Sequence, residues 1–344
     1  MAALSPRNVG AIYVLLLEIV IFSIWLPRIF PRVATVQQVL NSNAVIGIAA
    51  LALVLPLAVH IYDLSFAFVM SLSGATAAYL IVNHDMPVLL AMLCGLGLAL
   101  VAGFINAFVV VTLGVDSLIA TLSTGSLIQA MITFVTSDLP IADSRLVGSF
   151  TWLGQSTLFG ITLPVLYMFV IAGLIWMILE YTPTGRRMYA TGYNVEASRL
   201  AGITVDRLRF RSLLASSLIA GFGGLVLAST LGSGSPTAGT PYLLPAFATA
   251  ILGATQFKRG RVNAWGTVAG VLMLGCGLTG LALAGAPDWS RNCFIGVVLL
   301  SALSATSFRN GTIGGRRVPW LRSRRYASAQ DEREGVEPRQ EPTP

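Results

Sequence analysis

An arginine-rich segment, Thr184 to Arg211, is the part of the sequence best suited to bind a partner. Six arginines fall within its 28 residues, and long apolar stretches flank it on both sides. Asn194 is of a type that caps helices, Glu196 follows in the first turn near the positive helix end, and Gly202 favours the left-handed conformation that ends a helix. We therefore predict a short helix from about Val195 to Ala201, presented to water. A solvated loop that only anchors the topology is the alternative.

Hydroxyl and amide side chains within the apolar stretches form the second group with chemical potential. Ser117, Thr121 and Thr124 recur at i, i+4 and i+7, so they share one helix face, and Asn106 lies in the preceding apolar stretch. Such groups donate and accept hydrogen bonds without carrying charge, which suits a polar uncharged solute. The alternative is structural, because hydroxyls of this kind often bond back to a carbonyl of their own helix.

Carboxylates in or beside the apolar stretches are few, namely Glu18, Asp63, Asp116 and Asp288. A carrier driven by protons or sodium ions places carboxylates at mid-membrane, where they titrate or bind the ion. Only Glu18 lies well inside an apolar stretch, and we expect it to pair with a hydroxyl or backbone group of a neighbouring helix. An autonomous ion-driven carrier is therefore the less favoured alternative.

The sequence lacks the motifs of hydrolytic and metal-dependent enzymes. It contains no GxxxxGK[ST] phosphate loop, no GxSxG elbow, no HExxH pair and no CxxC. The histidines and cysteines of the chain are His60, His84, Cys94, Cys276 and Cys293. We interpret the cysteines as small apolar fillers. We expect no catalytic residue, no metal site and no cofactor in this chain.

Composition identifies the class of protein. Hydrophobic residues make up 55% of the chain, charged residues only 11%, and the mean hydropathy is +0.77. A soluble protein carries about 25% charged residues, so this composition indicates a membrane protein. The net charge of +7 does not indicate nucleic-acid binding, because the basic residues lie in short connections and in the C-terminal tail.

The elements that position these groups are membrane-spanning helices of roughly 20 apolar residues each. We predict an all-α polytopic membrane protein with ten spans, at residues 11–28, 42–60, 64–82, 87–112, 117–136, 161–181, 209–231, 242–257, 262–283 and 290–308. The third and eighth spans are short or interrupted, so they are candidates for broken or re-entrant elements. Gly221, Gly223 and Gly224 are interpreted as points where helices approach closely.

The distribution of charge orients the spans. With ten spans and a cytoplasmic N-terminus, 18 of the 22 Lys and Arg residues lie on the cytoplasmic side, as the positive-inside rule requires. We predict a cytoplasmic N-terminal segment 1–10, a transmembrane domain 11–308 with a cytoplasmic loop 182–208, and a cytoplasmic tail 309–344. The tail is polar and charged, which favours disorder. We favour a tail with no role beyond topology, the alternative being contact of its early arginines with anionic lipid.

The arginine-rich segment resembles the conserved cytoplasmic loop of the ribose/xylose/arabinose-type permeases of ATP-binding-cassette (ABC) importers, within the branched-chain amino acid/ribose permease superfamily. The residues that fit this loop in order are Gly185, Arg186, Tyr189, Ala190, Gly192, Asn194, Ala197, Gly202 and Ile203. Three further blocks are similar, namely Asp63-Leu64-Ser65, Asn106 with Thr121-Leu122, and Pro236-Thr237-Ala238-Gly239 followed by Gly253, Gly260 and Gly266. The similarity extends from about residue 40 to residue 308.

This resemblance implies roles for individual residues. The surface that couples to an ATPase subunit would comprise Gly185, Tyr189, Gly192, Asn194, Ala197, Ser198, Ala201, Gly202 and Ile203. The translocation path would comprise Asp63, Ser65, Asn106, Ser117, Thr121 and Thr124.

The resemblance also implies a ten-helix permease of the bacterial cytoplasmic membrane that imports a monosaccharide or a similar solute. Its partners would be a second permease chain, identical or paralogous, and a periplasmic or lipid-anchored solute-binding protein. An ATPase subunit with tandem nucleotide-binding domains would use ATP.

The sequence departs from the family pattern in two places. The glycines that flank the Asp63 block are replaced, and Ala254, Gln256 and Phe257 stand where Gly, Ser and Leu are usual. These changes leave the solute open among monosaccharides, nucleosides, polyols and branched-chain amino acids. A permease of the branched-chain amino acid type shares the fold, but the arginine-rich segment fits it less well.

Overall fold

The computed structural model describes residues 10–254, 260–309, 312–313 and 316–317, and the side chains of residues 12–254 and 260–301. The predictions for residues 1–9, for Gln256 and Phe257, and for the tail beyond residue 317 lie outside the described residues.

The described part of the chain is mostly helical. Its α-helices are α1 Gly10–Trp25, α2 Val33–Ala58, α3 Phe66–His84, α4 Val88–Ala107, α5 Ser117–Thr136, α6 Trp152–Gln155, α7 Leu163–Tyr181, α8 Pro183–Tyr193, α9 Val195–Leu200, α10 Val205–Leu231, α11 Leu243–Ala254, α12 Ala264–Leu283 and α13 Asp288–Arg309. A π-helical turn, Phe108–Thr112, extends α4. Two short antiparallel hairpins join β1 Thr157–Leu158 to β2 Ile161–Thr162, and β3 Thr312–Ile313 to β4 Arg316–Arg317.

Each of the ten predicted spans overlaps one of these helices. Within the described residues, seven are long and apolar enough to cross a membrane, namely α2, α3, α4 with its π-helical turn, α5, α7, α10 and α12. Ile12–Trp25 and Thr240–Ala254 are shorter apolar helices. The eighth predicted span is therefore short, as expected, whereas the third forms one continuous helix of 19 residues and is not broken.

The helix α2 begins at Val33 rather than at residue 42. Its first turns are polar, and their side chains bind the β1–β2 hairpin. Gln37 Nε2 donates to the Phe159 carbonyl at 3.2 Å, and Asn41 Nδ2 donates to the Gly160 carbonyl at 3.1 Å. The predicted boundary was therefore wrong because hydropathy alone does not register these contacts.

The segments that connect the helices contact one another at the two ends of the helix bundle. At one end, here called the hairpin end, Arg145 Nη1 lies 2.9 Å from Asp85 Oδ1, and Ile141 pairs with Gly234 through backbone hydrogen bonds. The connections at this end are 26–32, 85–87, 137–162 and 232–242.

The opposite end, here called the loop-helix end, carries α8 and α9. It also includes the connections 59–65, 113–116 and 260–263. The Tyr62 N–H donates to Ser117 Oγ at 3.2 Å, and the Tyr189 hydroxyl donates to the Val262 carbonyl at 3.0 Å. Successive helices from α2 to α12, with α6 and the loop helices set aside, thus run alternately between the two ends.

Close packing of α10 against its neighbours forms the centre of the bundle, as the glycines predicted. A Cβ at Gly223 would lie 3.1 Å from Ile48 Cγ2 in α2, and a Cβ at Gly224 would overlap the Met70 carbonyl in α3. A Cβ at Gly221 would lie 2.5 Å from Ala99 Cβ in α4. Small residues thus allow α10 to pack directly on three other helices.

The pairing that we expected between Glu18 and a neighbouring helix is absent at one of its two carboxylate oxygens. Glu18 lies on α1, which packs against α12, and its side chain is buried. The Oε2 atom of Glu18 has no hydrogen-bond partner among the described residues.

Candidate coupling surface and polar cluster

The loop between α7 and α10 folds into two short helices because its capping residues stand at the required positions. Thr182 Oγ1 accepts from the Gly185 N–H at 3.1 Å and starts α8, with Pro183 in the first turn. Asn194 Oδ1 accepts from the Ala197 N–H at 3.0 Å and starts α9. Gly202 follows α9 with a φ of 78°. The predicted cap, helix and left-handed glycine are confirmed, with α9 ending at Leu200.

The predicted coupling residues divide between two sides of this loop. Those that are exposed to water are Asn194, Ala197, Ala201 and Gly202. Those that are buried or half-buried against the bundle are Gly185, Tyr189, Gly192, Ser198 and Ile203. The structure therefore brings the nine residues together, and only the first group is available to a partner.

Two large apolar side chains on this loop were not predicted. Tyr193 at the end of α8 is 94% exposed, and Leu200 at the end of α9 is 90% exposed. Neither lies in a membrane span, so water surrounds both side chains in the isolated chain. Apolar residues within the arginine-rich segment were the signal in the sequence that would have identified them. Covering such side chains with a partner releases water from apolar surface and favours binding.

Tyr189 ties α8 to the connection before α12. Burial raises the pKa of its hydroxyl, and the neighbouring Glu180 raises it further, so the hydroxyl stays protonated and donates to the Val262 carbonyl. The Arg261 guanidinium carbon lies 5.3 Å from the centroid of the Tyr189 ring, within the range of a cation–π contact.

A cavity of about 1040 Å³ lies at the loop-helix end, between the loop helices, the end of α2 and the end of α11. His60 and Tyr62 line one wall, and Asn194 and Ala197 line another. The ring of Tyr62 lies 6.2 Å from the ring of Phe247 in α11, at a tilt of 44°.

A second group of polar side chains surrounds Asp63 in the connection between α2 and α3. Ser65 donates to Asp63 Oδ1 from its N–H at 3.0 Å and from its hydroxyl at 2.6 Å, and Ser216 Oγ donates to Asp63 Oδ2 at 2.7 Å. Asp63 is fully buried, and this burial raises the pKa of its carboxyl against the opposing effect of the serine hydrogen bonds. Ser216, in α10, was not predicted.

Asn106 and Thr124 extend the Asp63 cluster into α4 and α5. Asn106 Nδ2 donates to Ser65 Oγ at 2.7 Å, and the Thr124 hydroxyl donates to Asn106 Oδ1. Hydrogen bonds thus connect the side chains of Asp63, Ser65, Asn106, Thr124 and Ser216 in one network.

Ser117 and Thr121, also in α5, bind the backbone of the same connection. Thr121 Oγ1 accepts from the Leu64 N–H at 3.0 Å, while its own hydrogen goes to the Ser117 carbonyl at 2.7 Å. The face of α5 predicted from the hydroxyl spacing therefore packs within the chain. Asp63, Ser65, Asn106 and Thr121 are fully buried, which fits the structural alternative, and their role in a path stays a prediction.

The opposite face of α5 is exposed and carries hydroxyls of its own. Ser123 and Ser126 are exposed on this helix, which is the least buried of the seven candidate spans. The exposed side chains of α4 are apolar throughout, and those of α7 are apolar as far as Tyr181 at its end. Hydroxyls on an exposed face thus distinguish the helix α5 from the helices α4 and α7.

No group of three or more His, Cys, Asp or Glu side chains suited to a metal ion is present within the described ranges.

Comparison with known proteins gives consistent matches along most of the chain. Residues 35–303 match the family described as branched-chain amino acid transport system/permease component. The chain is 31% identical over 297 residues to the ribose import permease protein RbsC of Bacillus subtilis (strain 168), covering 86% of this chain and 92% of that protein. It is 31% identical over 291 residues to RbsC of Escherichia coli (strain K12), covering 84% and 90%.

The fructose import permease protein FrcC of Rhizobium meliloti is 29% identical over 307 residues, covering 87% of this chain and 85% of that protein. No solved structure matches the chain. The extent of the family match and the identity to these relatives show that this multi-pass membrane protein belongs to the branched-chain amino acid transport system/permease component family.

Proposed function

We propose that the chain is the membrane-spanning subunit of an ABC importer that moves a monosaccharide across the bacterial cytoplasmic membrane. The observation that carries this proposal is the pair of nearly fully exposed apolar side chains, Tyr193 and Leu200, on loop helices that also present arginines. Such a surface suits the docking of a soluble ATPase subunit, with α9 inserted into that subunit. The relatives named as import permeases support the same role.

The energy source would be a separate ATPase subunit, most simply one with tandem nucleotide-binding domains. The chain contains no phosphate-binding loop, so ATP would be bound and hydrolysed by that partner and not here. A carrier driven by an ion gradient is the competing function. It would need carboxylates at mid-membrane, and of the four considered only Glu18 lies within a described span helix clear of its ends.

Ten spans with both termini in the cytoplasm are the topology that we propose. α1, α11 and α13 would then cross the membrane together with the seven longer apolar helices. The loop-helix end would face the cytoplasm with its arginines, and the hairpin end would face the periplasm, where a solute-binding protein, free or lipid-anchored, would deliver the solute. The tail 309–344 would remain on the cytoplasmic side.

The translocation path would run along the exposed face of α5, between this chain and a second permease chain, identical or paralogous. Lipid favours apolar side chains, whereas Ser123 and Ser126 suit contact with water, with solute or with a protein partner. The cluster of Asp63, Ser65 and Asn106 would then support α5 from behind and would not touch the solute.

A monosaccharide is the solute class that fits this face of α5. From Ser117 to Thr136 the helix contains hydroxyls and one amide but no charged residue. An amino acid carries two charges that would need compensating partners within the membrane, so a branched-chain amino acid fits less well. Ribose and fructose, named for the relatives, are the first candidates.

Reconstitution into proteoliposomes tests the proposal. The chain alone should show no uptake of labelled ribose or fructose under a proton or sodium gradient. Addition of the ATPase subunit, ATP and the solute-binding protein should start uptake of one of these sugars. Gradient-driven uptake by the isolated chain would contradict the proposal and would support the secondary carrier.

A further inference from the structure

The connection between α2 and α3, residues 59–65, lies between the loop helices and the start of α5. Resting on the proposed function, we infer that this connection, here called turn 59–65, transmits the movement of α8 to α5. Gly192 is the contact on the α8 side, and Ser117 and Thr121 are the contacts on the α5 side. These are positioning residues, which act on the path through the movement of α5.

On the α8 side, the backbones of α8 and α2 touch without an intervening side chain. A Cβ at Gly192 would overlap the Ala58 carbonyl oxygen and would lie 3.7 Å from Val59 Cα. Thr191 beside it is fully buried. Because no flexible side chain separates the two backbones, a shift of α8 towards α2 cannot be absorbed by rotation about side-chain bonds and displaces the end of α2.

Turn 59–65 is firmly joined to α2. The N–H groups of Val59 and Ile61 both donate to the Pro56 carbonyl, at 3.0 and 2.9 Å, and His60 between them has a φ of 61°. The left-handed conformation is uncommon for residues other than glycine, so this geometry is specified by its surroundings. A displacement of the end of α2 therefore carries the turn with it.

On the α5 side, two backbone N–H groups of the turn depend on side chains of α5. Tyr62 donates to Ser117 Oγ and Leu64 donates to Thr121 Oγ1, at 3.2 and 3.0 Å. If α5 did not follow the turn, these donors would lose their partners in a part-buried site. The movement of the turn is therefore transmitted to the first two turns of α5.

At the loop-helix end a cavity lies between turn 59–65 and α9. It separates His60 and Tyr62 on the turn from Asn194, Ala197 and Ser198 on the loop helices. Among the described helices α9 packs chiefly against α8 and α10, so a force on α9 enters both. The contact at Gly192 has no intervening side chain, whereas α10 reaches turn 59–65 through the side chains of Ser216 and Asp63.

The experiment measures the movement of α5 in the assembled transporter. A single cysteine, Ile119→Cys, is introduced on the exposed side of α5 in a chain lacking the three native cysteines, and its rate of reaction with a water-soluble maleimide is measured with and without ATP. Gly192→Ala should abolish the ATP-dependent change in rate while the ATPase subunit still copurifies. Gly173→Ala is the matched control, because nothing lies within 4 Å of the Cβ that it adds to α7.

A second variant tests the link from the α5 side without altering α8. Ser117→Ala combined with Thr121→Val should also abolish the ATP-dependent change at Ile119→Cys, with ATPase binding retained. An unchanged ATP response in either variant would overturn the inference. Loss of ATPase copurification from the otherwise unmodified Ile119→Cys chain, or absence of any ATP response in it, would instead contradict the proposed function.

Discussion

At the residue scale, exposure determines which side chains of the arginine-rich segment can bind a partner. Leu200 and Tyr193 extend into water at the ends of α9 and α8, whereas Ser198 and Gly185 are buried against the bundle. The exposed arginines around them would favour an acidic rim on the ATPase subunit. We therefore expect Tyr193 and Leu200 to contribute most of the binding energy with the ATPase subunit. The arginines would orient that subunit as it approaches.

Replacement of Leu200 by Ala should weaken ATPase binding without unfolding the chain. Loss of the buried leucine surface would cost about 2 kcal/mol, which corresponds to roughly 30-fold in Kd. Binding of the purified ATPase subunit to the detergent-solubilised variant measures this change. Leu139→Ala is the matched control, since Leu139 is also largely exposed but lies at the hairpin end. Equal affinities of the two variants would contradict the docking surface.

Replacement of Asp63 tests whether its cluster supports the fold. Asp63→Ala should destabilise the protein by about 2 kcal/mol or more, because the buried hydroxyls of Ser65 and Ser216 lose their acceptor. Asp63→Asn should cost clearly less, since the amide accepts from Ser65 and donates to Ser216. Thermal unfolding in detergent compares the two variants. A midpoint for Asp63→Ala equal to that of the unsubstituted chain would argue against a structural role and return Asp63 to the path.

The raised pKa of Asp63 also predicts a dependence of stability on pH. Burial disfavours the charged carboxylate in the folded state more than in the unfolded state. Its contribution to stability is therefore fully present below the ordinary pKa of an aspartate and is lost as pH rises through the raised value. Unfolding midpoints measured from acidic to neutral pH should fall for the unsubstituted chain, and this part of the slope should be absent in Asp63→Asn.

At the scale of elements, local sequence rules predicted the helices and their caps but not which elements pack against each other. Asn194 and Gly202 act within their own turns, so their roles follow from residue type. The i, i+4, i+7 spacing of Ser117, Thr121 and Thr124 identified a common face of α5. The spacing does not show what that face meets, because this depends on where turn 59–65 folds back. Leu200 differs, because an apolar residue within the arginine-rich segment was a signal that the sequence did carry.

Cysteine labelling of α5 tests which of its faces meets water. In a background lacking Cys94, Cys276 and Cys293, the variants Ser123→Cys and Ser126→Cys should react with a water-soluble maleimide in the assembled transporter. Thr121→Cys should not react, because its position is fully buried.

Val170→Cys on α7 is the matched control for this experiment, since Val170 is exposed on an apolar face and should meet lipid. Thiols at positions 123 and 126 that were as unreactive as the one at position 170 would place the exposed face of α5 in lipid. That result would contradict the proposed path.

At the scale of the whole molecule, the two ends of the bundle differ in charge. The loop-helix end carries the six arginines of the arginine-rich segment. At the hairpin end Arg145 pairs with Asp143 at 2.9 Å and with Asp85, and the Arg145 hydrogen bonds lower the pKa of Asp143 to about 2. The carboxyl of Asp143 therefore stays charged at physiological pH. Such asymmetry would orient the chain during insertion, because only arginines and lysines near the spans resist translocation.

Labelling from one side of the membrane tests this orientation. Leu139→Cys at the hairpin end and Leu200→Cys at the loop-helix end are both highly exposed, so a difference in reactivity reports the side of the membrane and not burial. An impermeant maleimide should label Leu139→Cys in spheroplasts and label Leu200→Cys only after the membrane is opened. Labelling of Leu200→Cys in sealed spheroplasts would place the arginine-rich segment outside. No cytoplasmic ATPase subunit could then reach it, and both the topology and the proposed source of energy would be wrong.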